Sequence, residues 1–434
     1  MKKVIKKAVP EQLYNKVVLP KHLSVAVAEN IKRGYPAKGL KVIGVTGTNG
    51  KTSTCYLIQK MLSEAGYKVG LLSTVAYGVG NDLKPQIHHM TSQPIDLLLD
   101  RIVAMKKDGM EILVLEVTSH ALAQFRTLGV PIDIAVMTNL THEHLDYHGT
   151  FKAYRDAKVK LFKAAARNKN GTQVGVVNAD DPNAVYFSDA VPKVRSYSLK
   201  KSDDPSVVYP RDLKLSADGS TYSTIIDGQD VKISCNLPGE FNVSNSMAAA
   251  SVGMQMGLTP QQIHDGIAAL KGVEGRMTNI DAGQDYSVVV DFAHTPDSFE
   301  KLLSDMRKVT KGRLICMFGS AGRRDESKRA IQGRIAGKYC DIVVATEEDD
   351  RDVDGTMILN QIASGAKESG KKLDRDLYKI LDREEAIRFT LAQAKRGDTV
   401  MLLGKGHEKT IERADGEHPW NEIELTEKIL REKK

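Results

Sequence analysis

The chain predicts an α/β protein in which a mostly parallel central sheet carries a P-loop and a second α/β domain follows. Two observations lead there. Short apolar runs at 69–72, 112–115, 134–137 and 174–177 recur between helical patterns, and strands that alternate with helices pair in parallel with helices on both faces. Ahead of all four, Val42-Ile43-Gly44-Val45 leads through Thr46-Gly47-Thr48-Asn49-Gly50-Lys51-Thr52-Ser53 into the helical segment Thr54-Cys55-Tyr56-Leu57-Ile58. Strand, glycine loop and helix in that order turn several backbone N–H groups and a helix N-terminus toward one point, which suits a polyphosphate. Lys51 adds a point charge there, and Thr52 a hydroxyl for Mg²⁺.

Residues 1–39 read as a short polar helix pair broken at Pro20 and Pro36, an appendage too small to bury a core of its own. The central domain is expected over 40–273. Within it, the Ser- and Asp-rich stretch from 196, followed by alternation at Tyr222-Ser223-Thr224-Ile225-Ile226, predicts a small antiparallel excursion over 196–236 at the sheet edge. Helical sequence from Asn242 to Leu270 then leads to Gly272-Val273-Glu274-Gly275-Arg276, a glycine-flanked joint. The remainder, 274–434, repeats the strand and helix alternation, with strands predicted at 287–291, 314–318, 342–345 and 399–403, and reads as a Rossmann-like C-terminal domain. A chain of 434 residues is long enough for two or three such cores.

Lys and Arg outnumber Asp and Glu by 62 to 55, a net +7, but much of the excess sits at the ends: Lys2, Lys3, Lys6, Lys7, Lys428, Arg431, Lys433 and Lys434. Terminal lysines are solvated tails, so the charge fits an anionic small molecule and not a nucleic acid partner. The cysteines Cys55, Cys235, Cys316 and Cys340 have neither metal-ligand nor disulfide-framework spacing, which argues for a reducing compartment. No run of eighteen apolar residues and no signal-peptide pattern is present, so the expectation is a cytoplasmic protein with no membrane span. A monomer is expected.

Two further segments carry chemistry. Glu116 ends the run Ile112-Leu113-Val114-Leu115, placing it at the carboxyl end of a buried strand, where a doubly wound sheet opens its ligand crevice. The next strand runs out into Thr138-Asn139-Leu140-Thr141-His142-Glu143-His144-Leu145-Asp146-Tyr147-His148, too polar for a core and suited to metal or phosphate. A zinc-protease helix needs two His at i and i+4 with Glu beside the first; His142, His144 and His148 follow a strand with other spacing, which favours Mg²⁺ held partly by a nucleotide.

In combination these segments resemble the Mur ligase family, over roughly residues 41–434, and within it the branch that adds the third residue of the peptidoglycan stem peptide. The motifs that carry the resemblance are Thr-Gly-Thr-Asn-Gly-Lys-Thr at 46–52, Glu-Val-Thr-Ser-His at 116–120, Thr-Asn-Leu-Thr-His-Glu-His-Leu-Asp at 138–146, Asn-Ala-Asp-Asp-Pro at 178–182, Phe-Asn-Val-Ser-Asn at 241–245, Gly-Arg-Met at 275–277, Asp-Phe-Ala-His-Thr-Pro-Asp-Ser at 291–298 and Gly-Lys-Gly-His-Glu at 404–408. The resemblance implies ATP-dependent amide synthesis: a substrate carboxylate attacks the γ-phosphate, and an amino group displaces the resulting acyl phosphate. It implies ATP contacts at Gly47, Thr48, Asn49, Gly50, Lys51, Thr52, Ser53, Asn245, Arg276 and Asp291, with Thr52, Glu116, His144 and a carbamylated Lys158 as Mg²⁺ ligands. Lys51, Lys158, His144 and Arg276 are the implied catalytic groups. Thr91, Ser92, Thr118, Gln124 and Arg126 fall at acyl-substrate positions, and Arg324, Glu348, Asp349, Asp350, Arg351, Gly404 and Glu408 at amino-acid positions.

The chain also departs from the family. Glu-Asp-Asp-Arg stands at 348–351 where enzymes adding meso-diaminopimelate commonly have Asp-Asn-Pro-Arg, so the added acids suit a basic or diamino substrate. Ser-Ala-Gly-Arg replaces Cys-Gly-Gly-Asp at 320–323, and Glu143 stands for the usual Asp. Where the family carries a whole UDP-binding domain ahead of the ATP loop, only the 1–39 appendage precedes it, so a polyglutamyl, folate-like or lipid-linked acceptor is the alternative to a UDP-linked one. A partner subunit that binds nucleotide without ligating is a third reading, disfavoured by the joint presence of Lys51, Glu116, His144, Lys158 and Arg276.

Overall fold

The computed structural model describes residues 11–86, 91–141, 143–216 and 218–432. His142, the lysines at 2, 3, 6 and 7, and Lys433 and Lys434 lie outside the described residues. The chain divides into two compact units. The first comprises residues 1–214, 220–236 and 241–271, and the second comprises 272–434 with the short stretches 215–219 and 237–240.

The first unit opens with one helix, α1 (Glu11–Lys32), not a broken pair: Pro20 lies inside it. Asn30 anchors that helix, donating to the Leu128 carbonyl at 2.9 Å, and Arg33 pairs with Asp100. Then come β1 (Lys41–Thr46), α2 (Lys51–Glu64), β2 (Val69–Leu72), β3 (Ala76–Val79), β4 (Asp82–Pro85), α3 (Ile95–Lys107), β5 (Ile112–Glu116), α4 (Ser119–Ala123), β6 (Ile134–Met137), α5 (Leu145–His148), α6 (Phe151–Arg167), β7 (Val174–Asn178), α7 (Ala184–Ser188), β8 (Lys193–Tyr197) and β9 (Val207–Val208). They build a nine-stranded sheet in the order β4-β3-β2-β5-β1-β6-β7-β8-β9, parallel except for the β3 and β4 edge. Strands β1, β2, β5, β6 and β7 are buried along almost their whole length, which is why they read as continuous apolar runs.

The excursion is a separate three-stranded sheet of β10 (Arg211–Ser216), β11 (Gly219–Ile226) and β12 (Gln229–Cys235), the last two antiparallel. Its first residues instead extend the main sheet as β8 and β9 in parallel. The helical sequence over 242–270 forms two helices, α8 (Glu240–Gln255) and α9 (Pro260–Ala269), the latter started by Thr259 in a capping box with Gln262 and by Pro260.

In the second unit, β13 (Thr278–Asn279), β14 (Ser287–Asp291), α10 (Pro296–Val309), β15 (Leu314–Phe318), α11 (Ser327–Tyr339), β16 (Ile342–Ala345), α12 (Gly355–Glu368), β17 (Leu377–Lys379), α13 (Arg383–Gln393) and β18 (Thr399–Leu403) form a six-stranded sheet, β13-β14-β18-β15-β16-β17, with only β13 antiparallel. A hairpin of β19 (Thr410–Arg413) and β20 (Gly416–Pro419) and the helix α14 (Glu422–Glu432) complete it. Each unit buries its own core. Leu113, Leu115, Met137, Leu161 and Phe162 belong to the first, and Val290, Met317, Val344, Ile387 and Leu402 to the second.

Candidate functional site

The glycine loop sits between β1 and α2, and its shape depends on two glycines. Gly50, with φ +79°, ends the loop in the left-handed region, where a Cβ would lie 2.4 Å from the Asn245 Oδ1. At Gly47 a Cβ would meet the Thr138 Oγ1 at 1.8 Å. The exit of the adjacent strand β6 holds the loop from the side. Thr48 N–H donates to the Asn139 carbonyl at 2.8 Å, Asn49 N–H to the Asn139 side chain at 2.9 Å, and Thr138 Oγ1 to the Asn49 carbonyl at 2.6 Å. Ser53 is buried in the first turn of α2. Asn245, on α8, is positioned by Thr54 Oγ1 at 3.3 Å and by its own bond to Asn242 at 2.9 Å.

Four of the expected groups converge on this loop. Thr52 Oγ1 lies 3.1 Å from both oxygens of Glu116, which ends β5 next to β1, and Thr74 N–H donates to the same carboxylate at 2.8 Å. Lys51 Nζ donates to the Thr48 carbonyl at 2.7 Å. Lys158, only 2% exposed, reaches from α6 to the Gly47 carbonyl at 2.6 Å and lies over the Tyr154 ring. Burial pushes its ammonium well below the ordinary lysine range, Lys51 adds to the effect, and Glu143 and Glu116 oppose it. Lys160, its neighbour two places on, points elsewhere, toward Phe125.

His144 begins α5 with φ +54° and packs edge-on to His120, ring centroids 4.7 Å apart; Tyr147 and His148 complete the aromatic group. The Thr52 hydroxyl and the Glu116 carboxylate are hard oxygen donors already in contact, and that pair fits Mg²⁺. Among the described residues no three His, Cys, Asp or Glu side chains cluster as metal ligands.

Thr91, Ser92, Glu116 and Arg126 line one cleft in the same unit. Ser92 Oγ accepts from the Thr118 N–H at 3.0 Å and donates to the Glu116 carbonyl. Arg126 donates to the Ser92 carbonyl at 2.7 Å and to Gln124 at 2.6 Å, and Gln124 reaches Tyr147. The acyl-substrate positions are thus joined to one another and, through Ser92 and Glu116, to Thr52.

In the second unit, Asp291 accepts from the Met277 and Ala293 N–H groups at 2.8 and 2.7 Å, and Arg276 stacks over Phe292. The loop after β16 contains Glu347, Glu348, Asp349, Asp350 and Arg351, the first, second and fourth of them buried. Asp349 is already partnered: buried Lys405 donates to it at 2.8 Å and also pairs with Glu408 at 2.6 Å. Burial opposes ionisation of Asp349, but the Lys405 ammonium wins and holds its carboxyl below the usual range. Among the described residues no such cation pairs with Asp350; burial, together with Glu347, Glu348 and Asp349, pushes it up to about 6. Gly404 takes φ +106° where a Cβ would press on Glu348 Oε2. Arg351, at φ +59°, donates from Nε to Glu412 of β19 at 2.7 Å and from Nη1 to the Gly322 carbonyl at 2.6 Å. Arg324 is exposed.

Residue-by-residue reading of the sequence missed Thr138 and Asn139 as the latch on the glycine loop, Tyr154 under Lys158, and Lys405, Glu412 and Arg413 around the acidic loop. Only the first two carried a signal, being the first residues after a buried strand beside β1.

Residues 45–253 match the Mur ligase middle domain, and residues 275–406 match the Mur ligase, glutamate ligase domain. A UDP-N-acetylmuramyl-tripeptide synthetase of Roseiflexus sp. is 38% identical over 92% of this chain and 80% of its own length. The UDP-N-acetylmuramoyl-L-alanyl-D-glutamate–2,6-diaminopimelate ligase of Syntrophomonas wolfei is 38% identical over 86% of this chain and 75% of its own. A solved structure of a ligase with that same description superposes with a TM-score of 0.64 at 32% identity, covering 92% of this chain and 79% of that one. The Mycobacterium tuberculosis folylpolyglutamate synthase shares the fold, with a TM-score of 0.72 at 16% identity over 91% of this chain and 95% of its own. Two domain matches in order and relatives at this identity over most of both chains lead to one conclusion: the chain belongs to the Mur ligase family.

Proposed function

We propose that this Mur ligase is an ATP-dependent, ADP-forming amide ligase that adds a basic or diamino amino acid to a carboxylate of a UDP-MurNAc-L-Ala-D-Glu-like precursor in the cytoplasm. The observation that carries the reading is the gathering of Lys51, Thr52, Glu116 and Lys158 on one glycine loop, with the Ser92 and Arg126 cleft tied to the backbone carbonyl of that same Glu116. The relatives above, a tripeptide synthetase and a diaminopimelate ligase of UDP-N-acetylmuramoyl peptides, support the acceptor half of it.

The acceptor carboxylate attacks the γ-phosphorus, the bond to the bridging oxygen breaks, and ADP departs. The amine then attacks the acyl carbon, inorganic phosphate leaves, and the amine proton passes to solvent. Two anions must approach, so the site's task is charge neutralisation and alignment. Lys51 would leave the Thr48 carbonyl for the β,γ-phosphates, and the loop N–H groups would cradle them. Arg126 would hold acceptor carboxylate through its planar fork. Neutral Lys158 can add CO₂ and lose a proton, giving a carbamate, which is an oxygen donor where an ammonium is none. Mg²⁺, held by Thr52, Glu116, His144 and that carbamate, would supply further neutralisation of phosphate charge. Asn245, beside the glycine loop, would add a nucleotide contact within this unit.

The test is phosphate release with UDP-MurNAc-L-Ala-D-Glu, Mg²⁺-ATP and single amino acids. Lysine-type substrates should drive turnover, and Lys51→Ala should abolish it. Near-parental turnover in that variant at saturating Mg²⁺-ATP would sink the ATP chemistry. Turnover only with a folate-like or polyglutamyl acceptor would replace the acceptor half of the reading.

A further inference from the structure

The geometry points to Glu412 as a specificity residue that occupies the Arg351 fork from within the chain, so that the amino acid accepted carries a cationic amine and no second carboxylate. This rests on the reading that the loop 347–351 binds the incoming amino acid.

The contact is built into the backbone. Arg351 N–H donates to the Glu412 carbonyl at 3.0 Å, and Glu412 N–H donates to Asp349 Oδ1 at 2.9 Å, so loop and hairpin strand are tied on both sides of the side-chain pair. Glu412 then accepts from Arg351 Nε, while the Gly322 carbonyl takes Nη1. A guanidinium offers a carboxylate its paired N–H donors, and here two of the three nitrogens are satisfied by the protein itself. A substrate carboxylate could take the bidentate Nε–Nη2 side of Arg351 only by displacing Glu412 from it.

The charges around the loop point the same way. Arg413 pairs with Glu347, Lys405 with both Asp349 and Glu408, and Arg351 with Glu412. Among the described residues no cation pairs with Glu348 or Asp350, both buried. With Arg383, which feels Glu347 and Glu348 and pairs with Glu422, seven carboxylates face four cations, an imbalance that a substrate ammonium reduces and a second substrate carboxylate worsens. Exposed Arg324 is left for the one carboxylate that every α-amino acid has; its neighbour Arg323 is paired with Asp352. The selection is for lysine or ornithine over meso-diaminopimelate, although relatives of this chain include enzymes named for diaminopimelate.

The parent enzyme, Glu412→Gln, Arg351→Ala and the double variant should be compared for kcat/KM with L-lysine, L-ornithine and meso-diaminopimelate at saturating ATP and acceptor. The parent is expected to prefer lysine or ornithine. Glu412→Gln should raise the diaminopimelate-to-lysine ratio by roughly tenfold to a hundredfold, the worth of one charge-assisted contact, and the gain should vanish when Arg351→Ala is added. The KM for ATP separates this from a folding defect. A parent that prefers diaminopimelate, or a Glu412→Gln enzyme with the parental ratio, overturns the inference while leaving the ligase reading intact. No phosphate release with any of the three amino acids removes both.

Discussion

Two buried ionisable groups set the chemistry at the scale of single residues, and each is pushed toward its neutral form. For Lys158 neutrality is useful, since only a neutral amine takes up CO₂. Lys158→Ala should therefore be nearly inactive, and millimolar formate or acetate should restore part of the phosphate release; full activity in the variant would remove Lys158 from the chemistry. For Asp350 neutrality is a liability. Its folded value of about 6 lies above the ordinary 3.8, so the folded state binds this proton more tightly than the unfolded chain does. Its contribution to stability is therefore present at low pH and is lost as pH rises from 3.8 through 6. At pH 7.5 Asp350→Asn should raise the unfolding free energy, by something on the order of 2 kcal/mol, while raising the lysine KM roughly tenfold or more. In the parent, the lysine KM should fall as pH rises through 6. Calorimetry and a KM profile with pH check both signs, and a variant that loses stability at neutral pH would show that Asp350 is held by contacts other than its charge.

At the scale of elements, α11 and α12 approach through glycine. A Cβ at Gly365 would stand 1.8 Å from the Ala330 carbonyl, and one at Gly333 2.0 Å from that of Ile362. Gly365→Ala must separate the helices and should cost about 3 kcal/mol or more, read as a lower denaturant midpoint. Thr295, which caps α10 in a reciprocal pair with Ser298, is a milder case: Thr295→Ala should cost about 1 kcal/mol without moving any KM. What the sequence made legible follows the same physics. Long apolar runs betray strands buried on both faces, and β2, β6, β14, β15, β16 and β18 lie where those runs predict. Strands of two to four residues such as β4, β13 and β17, and the hairpin of β19 and β20, lack enough alternation to announce themselves. Helix α1 runs through Pro20 because one lost backbone bond is weaker than the anchors at Asn30 and Arg33. The P-loop and Glu116 were legible because adjacent parallel strands end together. The partners of the acidic loop were not: Lys405 and Glu412 come from 56 and 61 residues downstream, a distance that no local pattern spans.

For the whole molecule, the two units have separate cores, and ligands that act on one need not stabilise the other. Mg²⁺-ATP at about a hundred times its dissociation constant should add about 2.7 kcal/mol to the unit carrying the glycine loop. Gly365→Ala should lower only the transition of the C-terminal unit. A single calorimetric transition that shifts as one under both perturbations would show that the units unfold together. The strand order of the first unit has a consequence of another kind. The glycine loop that leads to Thr52, and Glu116 and Thr138, lie at the ends of β1, β5 and β6, three neighbours at the middle of nine strands, whereas the excursion and the β3–β4 hairpin hang from the periphery. Inherited change can accumulate at those margins, lengthening a hairpin or recutting an edge, without disturbing the three positions that handle phosphate. The architecture thus lets the margins of the sheet vary while its phosphate-handling middle stays as it is.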